Sequence, residues 1–291
     1  MKRFALFLLP LFALCGKLVA VPFVVVDPVL ASNQVIRIDG DHKRQVEFKP
    51  LPIEPGKCYH LVFEARVNGG LTSENNPRVH VARFEQCHLF WRWQVRQASV
   101  SNNPSARCSN SPMTLFSSNW RTYHDLFRAQ PWAATTSVAF IPSGLPVGLE
   151  LRNVRLEPYD NGKAVNLNGD FSLGEDCLAG WSWPLDAAGF RTVKGRRVFD
   201  TAYGTESMPF PVDDATAYHV DLKRTTYGGY TACNIYFRDA KNKVLKLITV
   251  NGSSFDFVPP AGAVKAYFKI YNTYLESVVV TPRGPKEVLR K

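Results

Sequence analysis

The sequence has little that marks a helical or catalytic protein. No window of twelve or more residues carries a 3.6-residue apolar period, which argues against a helical bundle and against an α/β enzyme. There is no His-Glu-x-x-His, no Gly-x-Ser-x-Gly, no glycine-rich phosphate loop and no cysteine-protease signature. The common metal, nucleophilic and nucleotide chemistries therefore lack their sequence marks. Cys-x-x-Cys and zinc-type Cys/His spacings are also missing. Beyond residue 20 no apolar run reaches the ~20 residues that a membrane-spanning helix needs. The positive charge is scattered, with no basic helix or nucleic-acid motif, so nucleic acid is not an expected partner. Carboxylate pairs for glycoside hydrolysis are defined by distance in space, which a sequence does not give. No catalytic residue is named, and the chain is not expected to be an enzyme.

What is present begins with an amino terminus shaped like a secretory signal. Lys2 and Arg3 precede an apolar run over 4–14, broken by Pro10, and small residues lead to Ala20. Residues 1–20 are expected to be a signal peptide cleaved after Ala20, and the protein to be exported to the periplasm, cell surface or medium. Cys15 suggests a lipoprotein, but Leu14 is not the small residue such processing prefers. Cleavage removes Lys2, Arg3 and Lys17 and no acid, taking the formal charge from +10 to +7. That surplus favours acidic glycans or membranes. Its densest parts are Lys194, Arg196 and Arg197, and a basic tail over 283–291.

Short β-branched and aromatic runs recur along the rest, separated by Gly, Pro, Asn and Asp. This pattern predicts an all-β protein. Strands are expected over 34–38, 58–67, 78–84, 89–95, 121–128, 137–141 and 149–156. A second set is expected over 217–224, 231–238, 244–250, 264–271 and 275–281. In 218–223, Tyr218, Val220 and Leu222 alternate with His219, Asp221 and Lys223, one face apolar and the other polar. Asn161-Gly162 marks a linker, dividing a first domain over 21–159 from a second over 163–282.

The two parts resemble each other. Residues 52–61 align without a gap on 211–220; each is a proline-led, acid-containing turn feeding a strand that opens with Tyr-His. Residues 151–158 align likewise on 275–282. Two matches in the same order point to a duplicated domain.

Cysteine usage suits export. Without Cys15 there are five, Cys58, Cys87, Cys108, Cys177 and Cys233. In an oxidising compartment Cys177–Cys233 and Cys87–Cys108 are the candidate disulfides, with Cys58 left as a buried thiol. All five as reduced core residues is the open alternative.

At these residues the chain resembles the jelly-roll carbohydrate-binding modules of families four and nine, in the galactose-binding-like superfamily. Asn168-Gly169-Asp170-Phe171-Ser172-Leu173-Gly174, followed by Trp181, is similar to that family's opening pattern. Phe210-Pro211-Val212 to Tyr218 is similar to its turn into the first long strand, and 274–281 to its closing strand. In the first half Trp120-Arg121-Thr122-Tyr123 and 149–156 fit the later part of the pattern, while the opening motif is missing. The resemblance implies two tandem jelly-roll sandwiches and carbohydrate binding without catalysis. It also implies a structural calcium, but Ser172 replaces the opening carboxylate and Arg152 the closing one, leaving Glu276 as the lone metal candidate.

Sugar recognition needs flat apolar platforms with a few polar side chains at the hydroxyls. Trp91 and Trp93 share one strand face and span about 6.5–7 Å, close to one sugar unit. They serve either as a platform or as sandwich core. Trp183, Tyr227 and Tyr230 are the candidates in the second half, while Trp120, Tyr123 and Trp181 read as core. The expected partner is a glycan or cell-surface polysaccharide. The alternative is a structural protein of the envelope or matrix, whose sandwiches are scaffold for another protein.

Overall fold

The computed structural model describes residues 23–26, 35–38, 45–68, 78–86, 92–100, 108–109, 113–114, 119–143, 148–173, 177, 179–181, 189–201, 204–227 and 231–290. The expected signal peptide lies outside them. The first half contains β1 (Phe23–Val26), β2 (Ile36–Ile38), β3 (Gln45–Phe48), β4 (Leu51–Pro52), β5 (Cys58–Asn68) and β6 (Arg78–Gln86). It continues with β7 (Arg92–Val100), β8 (Cys108–Ser109), β9 (Met113–Thr114), β10 (Arg121–Arg128), β11 (Thr135–Ser143) and β12 (Gly148–Pro158). The second half contains β13 (Gly189–Val193), β14 (Arg196–Asp200), β15 (Thr205–Glu206), β16 (Phe210–Pro211) and β17 (Thr216–Thr226). It ends with β18 (Ala232–Arg238), β19 (Val244–Val250), β20 (Ser254–Phe257), β21 (Lys265–Tyr271) and β22 (Thr273–Pro285). β22 thus runs into the segment read as a basic tail, and a short 3-10 helix follows (Lys286–Arg290). Of the strand expected over 89–95, residues 92–95 lie in β7, which continues to Val100, and 89–91 lie outside the described residues. Among the described residues no helix is long and apolar enough to cross a membrane.

The strand order is that of a jelly roll, and it occurs twice. In the first half one sheet runs β10-β5-β12-β2, and the other contains β3-β11-β6-β7 with β4 also on β11. In the second half one sheet contains β20-β17-β22-β14, and the other runs β15-β21-β18-β19 with β16 also on β21. Each strand of the first set corresponds in chain order to one of the second. β2 pairs with β12 as β14 pairs with β22, and each closing strand also pairs with the first long strand, β5 or β17, the two-sheet arrangement of a jelly roll.

The duplication extends to register. Pro158 lies opposite Tyr59 and Leu156 opposite Leu61, as Pro282 lies opposite Tyr218 and Val280 opposite Val220. Tyr59 stacks on Phe127 and Tyr218 on Phe257, centroids 5.6 and 5.3 Å apart. Each tyrosine hydroxyl accepts the amide five residues back, Glu54 at 2.7 Å and Asp213 at 3.1 Å. Both closing strands bulge just after the equivalent leucines, Leu151 and Leu275. The two gapless sequence matches are therefore one turn-and-strand device used twice.

Period-2 alternation builds the cores. Cys233, Ile235 and Phe237 of β18 and Ala266, Phe268 and Ile270 of β21 point inward and are buried. Leu61, Phe63 and Ala65 of β5 do the same in the first half. A well-packed interior side chain of this size contributes about 1.5–3 kcal/mol by burial.

The Asn-Gly opening motif is structural. Asn166 bridges the backbone of β22, donating to Val278 O at 2.7 Å and accepting from Val280 N at 2.8 Å. A Cβ on Gly169 would meet Val278 O at 2.2 Å, so only glycine fits there. Trp181, fully buried, donates from Nε1 to Asn168 O at 3.1 Å. Leu167, Cys177 and Ala179 of the same segment share one buried cluster with Cys58 and Leu126 of the first half. The connecting segment therefore belongs to both cores.

The expected Cys177–Cys233 disulfide is not formed. Both are free and buried, in different clusters. Cys233 is an inward residue of β18, where burial pushes its thiol up to about 12. Cys58 is a buried free thiol. Cys87 lies outside the described residues, and Cys108 falls in β8.

Candidate functional site

The outward face of the β15-β21-β18-β19 sheet gathers aromatic and polar groups. Alternation that buries Ile235 and Phe237 leaves Asn234, Tyr236 and Arg238 outward on β18. On β21 it leaves Lys265, Tyr267, Lys269 and Tyr271 outward. Register sets Tyr236 opposite Tyr267, Asn234 opposite Lys269, and Leu247 of β19 on the other side of Tyr236.

Tyr236 and Tyr267 stack with centroids 4.9 Å apart and planes 13° from parallel. The Arg238 guanidinium lies 4.6 Å from the Tyr267 ring and donates to its hydroxyl at 3.0 Å. Covered by both neighbours, Tyr267 is 8% exposed and acts as the support; Tyr236 is half-buried. On the other flank Lys269 Nζ lies 2.9 Å from Glu206 Oε1. Hydrogen bonds to Glu206 and Tyr271 raise the Lys269 pKa, so its ammonium is fixed. Thr249 donates to Asn234 Oδ1 at 3.0 Å. The face thus offers an aromatic centre between two cations and a carboxylate, with the Asn234 amide buried and held by Thr249. Such a surface can hold a flat ligand edge and meet hydroxyls or carboxylates at its sides.

The first half has a different constellation on its β10-β5-β12-β2 sheet. Glu150, 2% exposed, accepts from Arg66 at 2.6 Å and Arg37 at 3.0 Å. Trp120 lies between Arg66 and Arg152, with guanidinium carbons 4.7 and 4.2 Å from its ring. Arg152 and Asn153 donate to Glu64 at 2.7 and 2.6 Å. Burial works to raise the Glu64 pKa, but these two hydrogen bonds outweigh it and hold the carboxyl low. Trp120, expected in the core, is half-buried on this outer face. Two guanidinium groups pack on its ring, and the arginines themselves are paired.

The sequence-derived candidates do not converge in the described residues. Trp91, Trp183 and Tyr230 lie outside them, and Trp93 falls in β7 opposite Glu85. Tyr227 is held in place: its hydroxyl donates to Asp200, its ring packs on Tyr274 at 4.2 Å, and Asp200 also pairs with Arg191. Burial, then the bond to Asp200, pushes the Tyr227 pKa up.

The residues do not fit the implied calcium. Glu276 pairs with Arg196 at 3.2 Å. Asp170 caps its own turn, accepting from Ser172 N and Oγ at 3.2 and 2.9 Å. Asn168 Oδ1 is buried without a partner, but one oxygen is far from the six to eight that calcium takes. Among the described residues no three His, Cys, Asp or Glu side chains come together as a metal site.

The tyrosine face escaped the sequence reading although its signal was present. The runs 233–238 and 266–271 alternate apolar with aromatic or charged residues, which names Tyr236, Tyr267 and Tyr271 as outward.

No family model and no curated protein matches this chain. Among solved structures it is similar to the tandem carbohydrate-binding modules CBM22-1 and CBM22-2 of Paenibacillus barcinonensis Xyn10C, at 9% identity and a TM-score of 0.28, covering 80% of this chain and 82% of that one. A CBM4 module is similar at 12% identity and a TM-score of 0.28, over 44% of this chain and 74% of that one. The PBSX exported protein XepA is similar at 8% identity and a TM-score of 0.26, over 86% and 85%. At such scores the functional reading rests on the residues of this chain.

Proposed function

We propose that the protein is an exported, non-catalytic carbohydrate-binding protein that holds a poly- or oligosaccharide on the outward face of β18 and β21. The observation that carries this reading is the Tyr236–Tyr267 stack flanked by Arg238, Asn234 and the Lys269–Glu206 pair. An apolar centre bordered by fixed polar groups suits a sugar ring, which has a C–H face and a hydroxyl rim. The two cations favour an acidic or partly charged glycan, in line with the net charge of +7 expected once residues 1–20 are removed. Trp91, Trp93, Trp183 and Tyr230 are proposed as further contacts. Tyr227 serves here as a strut for Tyr274.

The test is binding of the purified chain to a broad glycan panel, beside Tyr236→Ala and Trp91→Ala/Trp93→Ala. Saturable binding weakened at least about tenfold in folded Tyr236→Ala supports the face. Absence of binding to any glycan by folded protein rejects the reading. A second reading, an interaction protein of the envelope or matrix, is favoured by one observation: β19 exposes an apolar sheet edge.

A further inference from the structure

Among the described residues β19 is the last strand of its sheet and pairs with β18 alone. Its counterpart in the first half, β7, is covered at its far side by β8, with Ser99 opposite Ser109 and Val100 opposite Cys108. The second sandwich therefore leaves open an edge that the first one closes. Along it Val244, Leu245 and Leu247 are 44%, 38% and 46% exposed, unusually high for three large apolar residues so close in sequence.

The edge is also pre-ordered. Asp239 Oδ1 accepts the amides of Lys241 and Lys243 at 2.9 and 2.8 Å, and Asp239 N donates to Lys243 O at 3.0 Å. Asn242 takes the left-handed conformation that this turn needs (φ 67°). A bulge between Phe237 and Arg238 leaves Leu245 opposite no residue of β18. A strand already anchored by its turn gives up little freedom on accepting another.

Charge identifies the occupant. Lys241, Lys243 and Lys246 are exposed, no acidic residue occurs over 240–250, and the nearest, Asp239, is engaged by the turn. Lysines on an open edge oppose pairing with a second copy, which brings the same charge. They attract an extended segment whose apolar residues alternate with Asp or Glu. Such a segment continues the sheet, setting apolar side chains against Val244 and Leu247 and carboxylates near the lysines.

We infer that the open edge of β19 is a docking site for an extended acidic–apolar segment of a partner protein, bound by strand addition. The inference does not rest on the glycan reading.

The experiment uses the full chain and a labelled, end-capped peptide of alternating valine and glutamate, followed by fluorescence anisotropy. Controls are the valine–lysine peptide and a valine–glutamate peptide with a central proline. Expected are saturable binding of the first alone, weakening with salt. Expected also is at least a tenfold loss in the Lys241→Glu/Lys243→Glu/Lys246→Glu variant and in Leu247→Lys. Tyr236→Ala is expected to bind the peptide like the parent. Near-ultraviolet circular dichroism identifies folded variants; the surface lysine variant serves if Leu247→Lys fails to fold. Equal binding of acidic and basic peptides, indifference to lysine reversal, or no binding overturns the inference. So does concentration-dependent dimerisation abolished by the lysine or leucine variants, which assigns the edge to a second copy.

Discussion

On the first long strand of each sandwich a histidine follows the stacked tyrosine, and the two meet different neighbours. His60 of β5 lies 2.9 Å from His124 of β10, ring against ring, with Tyr159 of the connecting segment at its edge. His219 of β17 lies 2.6 Å from Asp256 of β20, which Arg283 also holds at 2.7 Å. The outer face of the first sheet is closed down by a connecting segment, whose Leu167, Cys177 and Ala179 cluster with Cys58 and Leu126. The equivalent second-half face carries exposed ion pairs. Duplication of a scaffold does not duplicate its surface: the inward half of each strand fixes the fold, and the outward half is free to diverge.

Replacing a core residue of one sandwich should be the strongest test of their separateness. Trp181→Ala removes a fully buried ring and its bond to Asn168 and is expected to cost about 4 kcal/mol. Trp120→Ala, half-exposed between two arginines, is expected to cost about 1 kcal/mol. Urea unfolding of both variants measures the contrast, and equal losses break it.

A smaller effect is expected at the buried carboxylate. Arg66→Ala leaves Glu150 with Arg37 alone and should destabilise by about 2–3 kcal/mol, less than breaking a fully isolated pair. Glu150→Gln/Arg66→Met should recover part of that loss in the same urea series.

The His60–His124 pair predicts an acid sensitivity for the first sandwich. Burial first, then repulsion from His60 and Arg155, lowers the His124 pKa from 6.5 to about 4. Burial also lowers His60, with Glu157 opposing and Arg155 assisting. The unfolded chain therefore binds more protons below pH 6.5. The neutral pair's contribution is complete above that pH and is lost as pH falls through about 4. The loss should be about 2 kcal/mol once solvent screening is allowed for. His60→Gln/His124→Gln should flatten the stability profile over this window. A profile that keeps its full slope over this window in the double variant would sink this account. The smallest effect is at the β18–β19 turn. Asn242→Gly, at a left-handed position, should change stability by only a few tenths of a kcal/mol in the same urea assay.

How much of this was legible in sequence follows from which physics each feature uses. The jelly-roll repeats were legible because alternation and turn chemistry are local, as in 218–223 and the Asn166–Gly169 opening. The tyrosine face was half legible: alternation names Tyr236 and Tyr267 as outward, but their meeting depends on register between β18 and β21. The Cys177–Cys233 pair was misread because pairing depends on distances across the fold; Cys233 faces one core while Cys177 serves another. Trp120 was misplaced because its burial comes from Arg66 and Arg152, far away in sequence. The open edge of β19 was hidden because its exposure reflects a strand that is not beside it.

The most direct test of the account is calorimetric titration of a glycan selected on the panel into three proteins: the parent chain, Tyr236→Ala and Trp120→Ala. The account predicts that Tyr236→Ala loses at least about tenfold in affinity while Trp120→Ala binds like the parent. Binding that survives Tyr236→Ala and disappears in a folded Trp120→Ala would contradict it, moving the site to the first sandwich.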